Sequence, residues 1–137
     1  MKKEQRLTSP REFDSVYRKG SSRAANLLVL RALPNGLPVS RFGFSISKRV
    51  GGAVVRNRTK RRLREILSAA PVKPGRDIVF IARPPAADAD FATLKKTVEG
   101  LLLREGLLDQ VQMSKPEEEN PNFKVQMSND RRVRFGI

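Results

Sequence analysis

Apolar residues recur along this chain with two different periods, and the changes of period mark out its elements. The run Ser9-Pro10-Arg11-Glu12 combines a capping box with proline at the first helical position, which predicts a helix from Pro10 to Lys19 that stops at Gly20. Phe13, Val16 and Tyr17 lie on one face of it. Residues 26–33 are rich in Leu and Val and read as a strand, and Pro34-Asn35-Gly36-Leu37-Pro38 reads as the turn behind it. Residues 41–47 alternate, with Phe42, Phe44 and Ile46 on one side and Arg41, Gly43, Ser45 and Ser47 on the other. From Ala53 the period returns to 3.6: Val55, Thr59, Leu63 and Ile66 fall together, opposite Asn57, Lys60, Arg61 and Arg64. After the breakers Pro71, Pro74 and Gly75, residues 77–82 form a short, nearly continuous apolar run suited to a buried strand, which Arg83-Pro84-Pro85 ends. Asp88 or Asp90 can cap a last helix with Phe91, Leu94, Val98, Leu101 and Leu102 inward and Gly106 as its stop.

This order of elements predicts an α+β fold, a two-layer sandwich of helices on a small sheet. The alternating strand at 41–47 is expected to return as the hairpin partner of the strand at 26–33. If the strands flanking the second helix are parallel neighbours, the general rule gives a right-handed crossover. A length of 137 residues suits one domain with a modest core.

Charge changes the picture. The net charge is +14 and the pI about 11.2, which points first to nucleic acid and second to an anionic membrane surface. All of the excess lies in residues 1–108, where 23 basic residues face nine acids; residues 109–137 hold five of each. That second segment, with Lys115-Pro116-Glu117-Glu118-Glu119 and few large apolar side chains, is expected to be a flexible extension that cannot offset its ordering entropy. Its two Val-Gln-Met-Ser copies, at Val111 and Val125, are too short for a repeat architecture. With neither Cys nor His there is no disulfide framework, no thiolate zinc site and no imidazole base. The start lacks an apolar signal region and no run reaches membrane-spanning length, so a cytoplasmic location is the expectation.

The basic residues concentrate in the stretch 45–66, whose charged residues are all Lys or Arg except Glu65. Surface helices usually mix signs to gain pairs one turn apart, whereas this one repels itself unless an anion neutralises it. Gly51-Gly52 upstream can leave free N–H groups at the helix start, a seat for a phosphate. Phe13 and Tyr17 have two readings from spacing: core residues, the commoner role of aromatics one turn apart, or a platform for a ligand. The small polar face at Arg41, Gly43, Ser45 and Ser47 is equally open to ordinary solvent exposure or to a shallow groove floor.

Lys48-Arg49-Val50-Gly51-Gly52-Ala53-Val54-Val55-Arg56-Asn57-Arg58-Thr59-Lys60-Arg61 closely resembles the signature of the protein subunit of bacterial ribonuclease P, and the resemblance extends over about residues 4–108. Gly52 departs from it, since the family usually carries Asn there; glycine still serves as an N-cap. The resemblance implies an α-β-β-β-α-β-α order with a small mixed sheet and a left-handed βαβ crossover. It further implies a role in removing the 5′ leader of precursor tRNA, with the active site and its Mg²⁺ held mainly by the catalytic RNA and the substrate phosphates. Arg56, Asn57, Arg58, Lys60, Arg61 and Arg64 would then meet the RNA subunit. Phe13, Tyr17, Arg41, Ser45, Ser47, Lys48 and Arg49 would line the leader cleft, and the protein would have no catalytic or metal-binding residue of its own. A structural RNA-binding protein such as a ribosomal component needs the same basic face and is the main alternative. A membrane-surface helix fits less well, because the apolar side of the basic helix lacks Trp and Phe.

On this reading residues 109–137 are dispensable. Truncation after Leu108 is expected to leave the melting transition and RNA-dependent cleavage of precursor tRNA nearly unchanged, which calorimetry and a cleavage assay on the shortened chain check directly.

Overall fold

The computed structural model of the protein describes residues 5–108. Helix α1 spans Pro10–Lys19, followed by strands β1 Ser21–Ala24, β2 Leu28–Pro34 and β3 Arg41–Ser45, helix α2 Ala53–Ala69, strand β4 Arg76–Ala82, a 3-10 turn Pro84–Asp88 and helix α3 Phe91–Arg104. The boundaries of α1 are those its caps predict: the Ser9 side chain accepts from the Arg11 N–H, Glu12 reaches back to the Ser9 N–H, and Gly20 closes the helix. The Asp90 carboxylate caps α3 by accepting from the Thr93 N–H at 2.8 Å, and hydrogen bonding from the Thr93 side chain and then its backbone, with Arg62 nearby, holds its pKa below the usual carboxylate range. Gly106, at φ 75°, takes the left-handed turn after α3.

The sheet order is β1-β2-β4-β3. β4 pairs antiparallel with β2 and parallel with β3, so β3, α2 and β4 form a crossover unit and β2 and β3 are not neighbours. The expected hairpin between residues 26–33 and 41–47 is thus replaced. The reason lies in β4, whose Asp77, Ile78, Val79 and Phe80 are all buried, so it takes a place inside the sheet, between the other two strands. β2 forms its hairpin with β1 instead, in the register Ser21↔Ala32 to Ala24↔Val29. All four β1 residues are exposed, which is why no apolar alternation announces it.

Each face of the sheet carries helices. Leu28, Leu30, Phe42, Ile78 and Phe80 face α2 and α3, joined by Leu63, Ile66, Leu67, Leu94, Val98, Leu101 and Leu102 in the main core. Burying each such side chain contributes roughly 1.5–3 kcal/mol. Thr59, on the same face of α2, satisfies its hydroxyl by donating to the Val55 carbonyl at 2.9 Å. Phe91 departs from the predicted stripe: it opens α3, ahead of the turn that packs, and is 37% exposed. On the opposite face α1 covers a smaller core of Leu7, Val16 and Val79, against which Phe13, Tyr17, Leu33 and Ile81 pack partly buried. The extension at 109–137, with its charge balance and paired tetrapeptides, lies outside the described residues.

Candidate nucleic-acid interface

The strand registers lay out the face beneath α1 in rows. Leu33, Asp77 and Arg41 form one row across β2, β4 and β3; Arg31, Val79 and Gly43 the next; Val29, Ile81 and Ser45 the third. The N-terminal half of α1 sits over the first two. Phe13 lies directly on Gly43: a β-carbon there would stand 2.5 Å from Phe13 Cζ and 2.7 Å from Cε1. The Tyr17 ring follows at a centroid distance of 6.4 Å, tilted by 45°. Both rings are half-buried, with one part packed against the small core of Leu7, Val16 and Val79 and another left to solvent, so the core and stacking readings describe two sides of the same side chains. The third row, Val29, Ile81 and Ser45, is also only partly buried and continues the floor beside them.

Arg41 is on this face, as expected, but not as a free cation. Its Nε and Nη2 donate to the two Asp77 carboxylate oxygens at 2.8 and 2.7 Å, and Nη1 donates to Glu12 at 2.7 Å. The hydrogen bond to Asp77 leads the effects that raise its pKa further above its already high value. Ser45 ends β3, and Ser47, Lys48 and Arg49 lie beyond it in the exposed turn leading to α2.

Helix α2 divides its cations into three rows, and only two of them face outward. Arg58 and Arg62 turn toward the segment before α3, donating to the carbonyls of Ala87 and Ala89 at 3.1 and 3.0 Å. Asn57 and Arg61 occupy the exposed crest. Arg56, Lys60 and Arg64, one turn apart, form the flank toward β3. Among the described residues no ion pair reaches α2, so its charge is not internally neutralised. The Nε atoms of Arg56 and Arg58 are buried without a hydrogen-bond partner. Gly52 is the N-cap and offers no side-chain bond, which leaves the first-turn N–H groups to outside acceptors.

The two groups of residues meet at the outer edge of β3. A cavity of about 240 Å³ is lined by Arg6, Leu7, Thr8, Phe13, Phe42, Gly43 and Phe44 together with Lys60 and Arg64. Aromatic surface and guanidinium or ammonium groups in one recess suit a polyanion that also presents flat bases, that is, single-stranded nucleic acid. Val29, Ile81 and Arg6 were not singled out by sequence reasoning. Val29 and Ile81 sit within continuous apolar runs, where alternation gives no sign of which face each residue serves, and Arg6 is an isolated charge whose placement depends on the Leu7 N–H bond to the Phe42 carbonyl.

The comparisons with known proteins agree on one family. A sequence model described as Ribonuclease P matches residues 1–106. The ribonuclease P protein component of Dehalococcoides mccartyi is 47% identical over 102 residues, covering 74% of this chain and 85% of its own length. That of Roseiflexus castenholzii is 46% identical over 111 residues, covering 79% and 91%. Among solved structures, the RNase P protein of Staphylococcus aureus matches with TM-score 0.71 at 30% identity, over 77% of this chain and 98% of that one. The Thermotoga maritima protein matches with TM-score 0.68 at 31% identity, over 72% and 96%.

The contact at Gly43 yields a direct test. Gly43→Ala forces α1 away from β3 and is expected to cost about 1–3 kcal/mol of stability, the range for overpacking a well-filled site. Urea denaturation of the variant beside the parent chain checks it.

Proposed function

Given that this chain belongs to the Ribonuclease P protein family, we propose that it works as the protein half of a ribonucleoprotein, binding both the catalytic RNA and the single-stranded 5′ leader of precursor tRNA. Membership places it in a tRNA-processing ribonuclease complex with an RNA subunit. The finer reading, of which face meets which RNA, is carried by one observation: the recess where Phe13 of α1 and Lys60 and Arg64 of α2 line the same cavity.

In this reading the crest and β3-side flank of α2, Arg56, Asn57, Lys60, Arg61 and Arg64, hold the RNA subunit through phosphates. Arg58 approaches it from the other edge while bracing the segment before α3. Phe13 and Tyr17 offer ring faces to unpaired leader bases above a floor of Gly43, Ser45 and Ile81, and Ser47, Lys48 and Arg49 guide the backbone as it leaves the groove. Mature tRNA lacks the leader and therefore lacks these contacts.

Hydrolysis itself is assigned to the RNA subunit. The chain has no histidine. Among the described residues no group of three or more His, Cys, Asp or Glu could hold a metal ion. These residues do not fit a protein-held Mg²⁺ site, and our reading leaves Mg²⁺ with the RNA and the substrate phosphates. This chain binds and orients. Among the described residues no helix is long and apolar enough to cross a membrane.

Two experiments test the two faces separately. Phe13→Ala in the reconstituted holoenzyme is expected to weaken precursor tRNA binding by about 1–3 kcal/mol, the usual loss for one base stack. Mature tRNA binding should barely move, and loss of thermal stability with an unchanged precursor-to-mature ratio would return Phe13 to a purely structural role. For α2, Arg61→Ala combined with Arg64→Ala should flatten the log–log salt dependence of RNA-subunit affinity by roughly one unit per phosphate contact removed. An unchanged slope would move that subunit to another surface.

A further inference from the structure

We propose that Glu12, Arg41 and Asp77 form a positioning clamp that sets how α1 sits over the sheet, and through it where the Phe13 and Tyr17 rings stand; Arg41 is a positioning residue and not a leader ligand. The inference rests on the leader-groove reading given above.

Geometry supports it first. The Arg41 guanidinium is forked onto Asp77 and bonded to Glu12 by three contacts of 2.7–2.8 Å, with its side chain only 22% exposed and that of Asp77 8%. Charged bonds of this length in a planar fork fix orientation as well as distance. Asp77 is held in turn by the Asn35 amide at 2.9 Å, and Glu12 by the backbone N–H of Ser9. The chain of bonds therefore joins the β2–β3 turn, β4, β3 and the start of α1. Glu12 directly precedes Phe13, and Arg41 stands two residues before Gly43 on the same strand face, so the clamp holds the helix at the point of its closest approach. At the other end of α1, Arg31 of β2 donates through Nη2 to the Tyr17 carbonyl, a second guanidinium tie against the helix C-terminus.

Electrostatics supports it second. Two carboxylates against one guanidinium leave this spot with a net negative charge, the wrong sign for gripping a phosphate. Placing acids beside a groove for a polyanion works against binding unless they are needed for shape. Partly buried ion pairs contribute little net stability but can specify one arrangement.

The two interpretations of these residues predict opposite signs. In the reconstituted holoenzyme, Glu12→Gln removes a negative charge while keeping an oxygen for the Ser9 cap. Simple charge attraction then predicts tighter binding of precursor and mature tRNA alike. The clamp predicts a precursor-to-mature affinity ratio lowered about fivefold, the low end of a lost base stack. Where Phe13→Ala itself lowers the ratio, a retained or raised ratio on Glu12→Gln overturns the clamp, whatever the melting temperature does. Arg41→Lys should lower the ratio with an unchanged salt slope for precursor binding, whereas a slope reduced by roughly one unit would make Arg41 a phosphate ligand and also overturn the clamp. Phe13→Ala, run alongside, separates this inference from the reading beneath it. If that variant leaves the ratio untouched, the leader groove is what fails. The clamp is then judged in the free protein from the emission of Tyr17, the single tyrosine in a chain without tryptophan. A change in that emission on Glu12→Gln supports the clamp, and identical emission overturns it.

Discussion

Strand β4 has almost no side turned to water, and that constraint organises the molecule. Ile78, Val79 and Phe80 alternate between the two faces of the sheet and are all fully buried, so both faces must carry helices. A strand of this kind belongs inside a sheet. Seating it between β2 and β3 separates the two strands that a local hairpin would have joined, and it makes α2 the link between parallel neighbours. The strongly basic helix is consequently fixed against the main core on one face of the sheet, while α1 and its aromatic pair are fixed on the other. The outer edge of β3 is where the two layers meet, with Phe13 of α1 and Lys60 and Arg64 of α2 lining one cavity.

Cationic charge on this protein is not one uniform coat. Part of it is used inside the fold: Arg31 and Arg41 bond to the Tyr17 carbonyl and to Glu12 of α1, Arg58 and Arg62 bond to the carbonyls before α3, and Arg23 pairs with Glu105. The remainder, chiefly Arg56, Lys60, Arg61 and Arg64, has no acidic partner among the described residues. A high net charge alone would attract any polyanion. Sorting the cations into structural ties and free groups gives that attraction a direction, and in the proposed function the aromatic recess beside the free ones adds the preference for unpaired bases.

Local signals in the sequence were reliable wherever one residue type does one job. The capping box and proline placed α1, the 3.6-residue period separated Leu63 and Ile66 from Arg61 and Arg64, and the apolar run at 77–82 located β4. Strand order was not legible, because alternation tells which face a side chain takes and nothing about which strand lies alongside. β1 was invisible to patterning for the same reason that it is exposed. Phe13 and Tyr17 could be assigned to a face but not to a degree of burial, since that depends on Gly43 allowing α1 to come close. The partners of Arg31, Arg41, Arg58 and Arg62 were hidden too: they are backbone carbonyls or acids distant in sequence, and no spacing rule connects such groups.

The crossover also has a consequence for the time order of folding. Every residue pair that joins β2 to β4 spans the whole of α2, from Leu28↔Ala82 to Pro34↔Arg76, so the centre of the sheet is built from contacts far apart along the chain. Such contacts form only after a long loop has closed. A chain synthesised from its N-terminus has α2 complete before β4 exists. The most basic segment of the chain is therefore exposed, apolar side included, while the sheet that seats it still lacks its central strand. For this topology the exposed interval lasts from the completion of α2 until β4, Arg76–Ala82, has been made, and the short connection between them limits how long the helix stays unprotected.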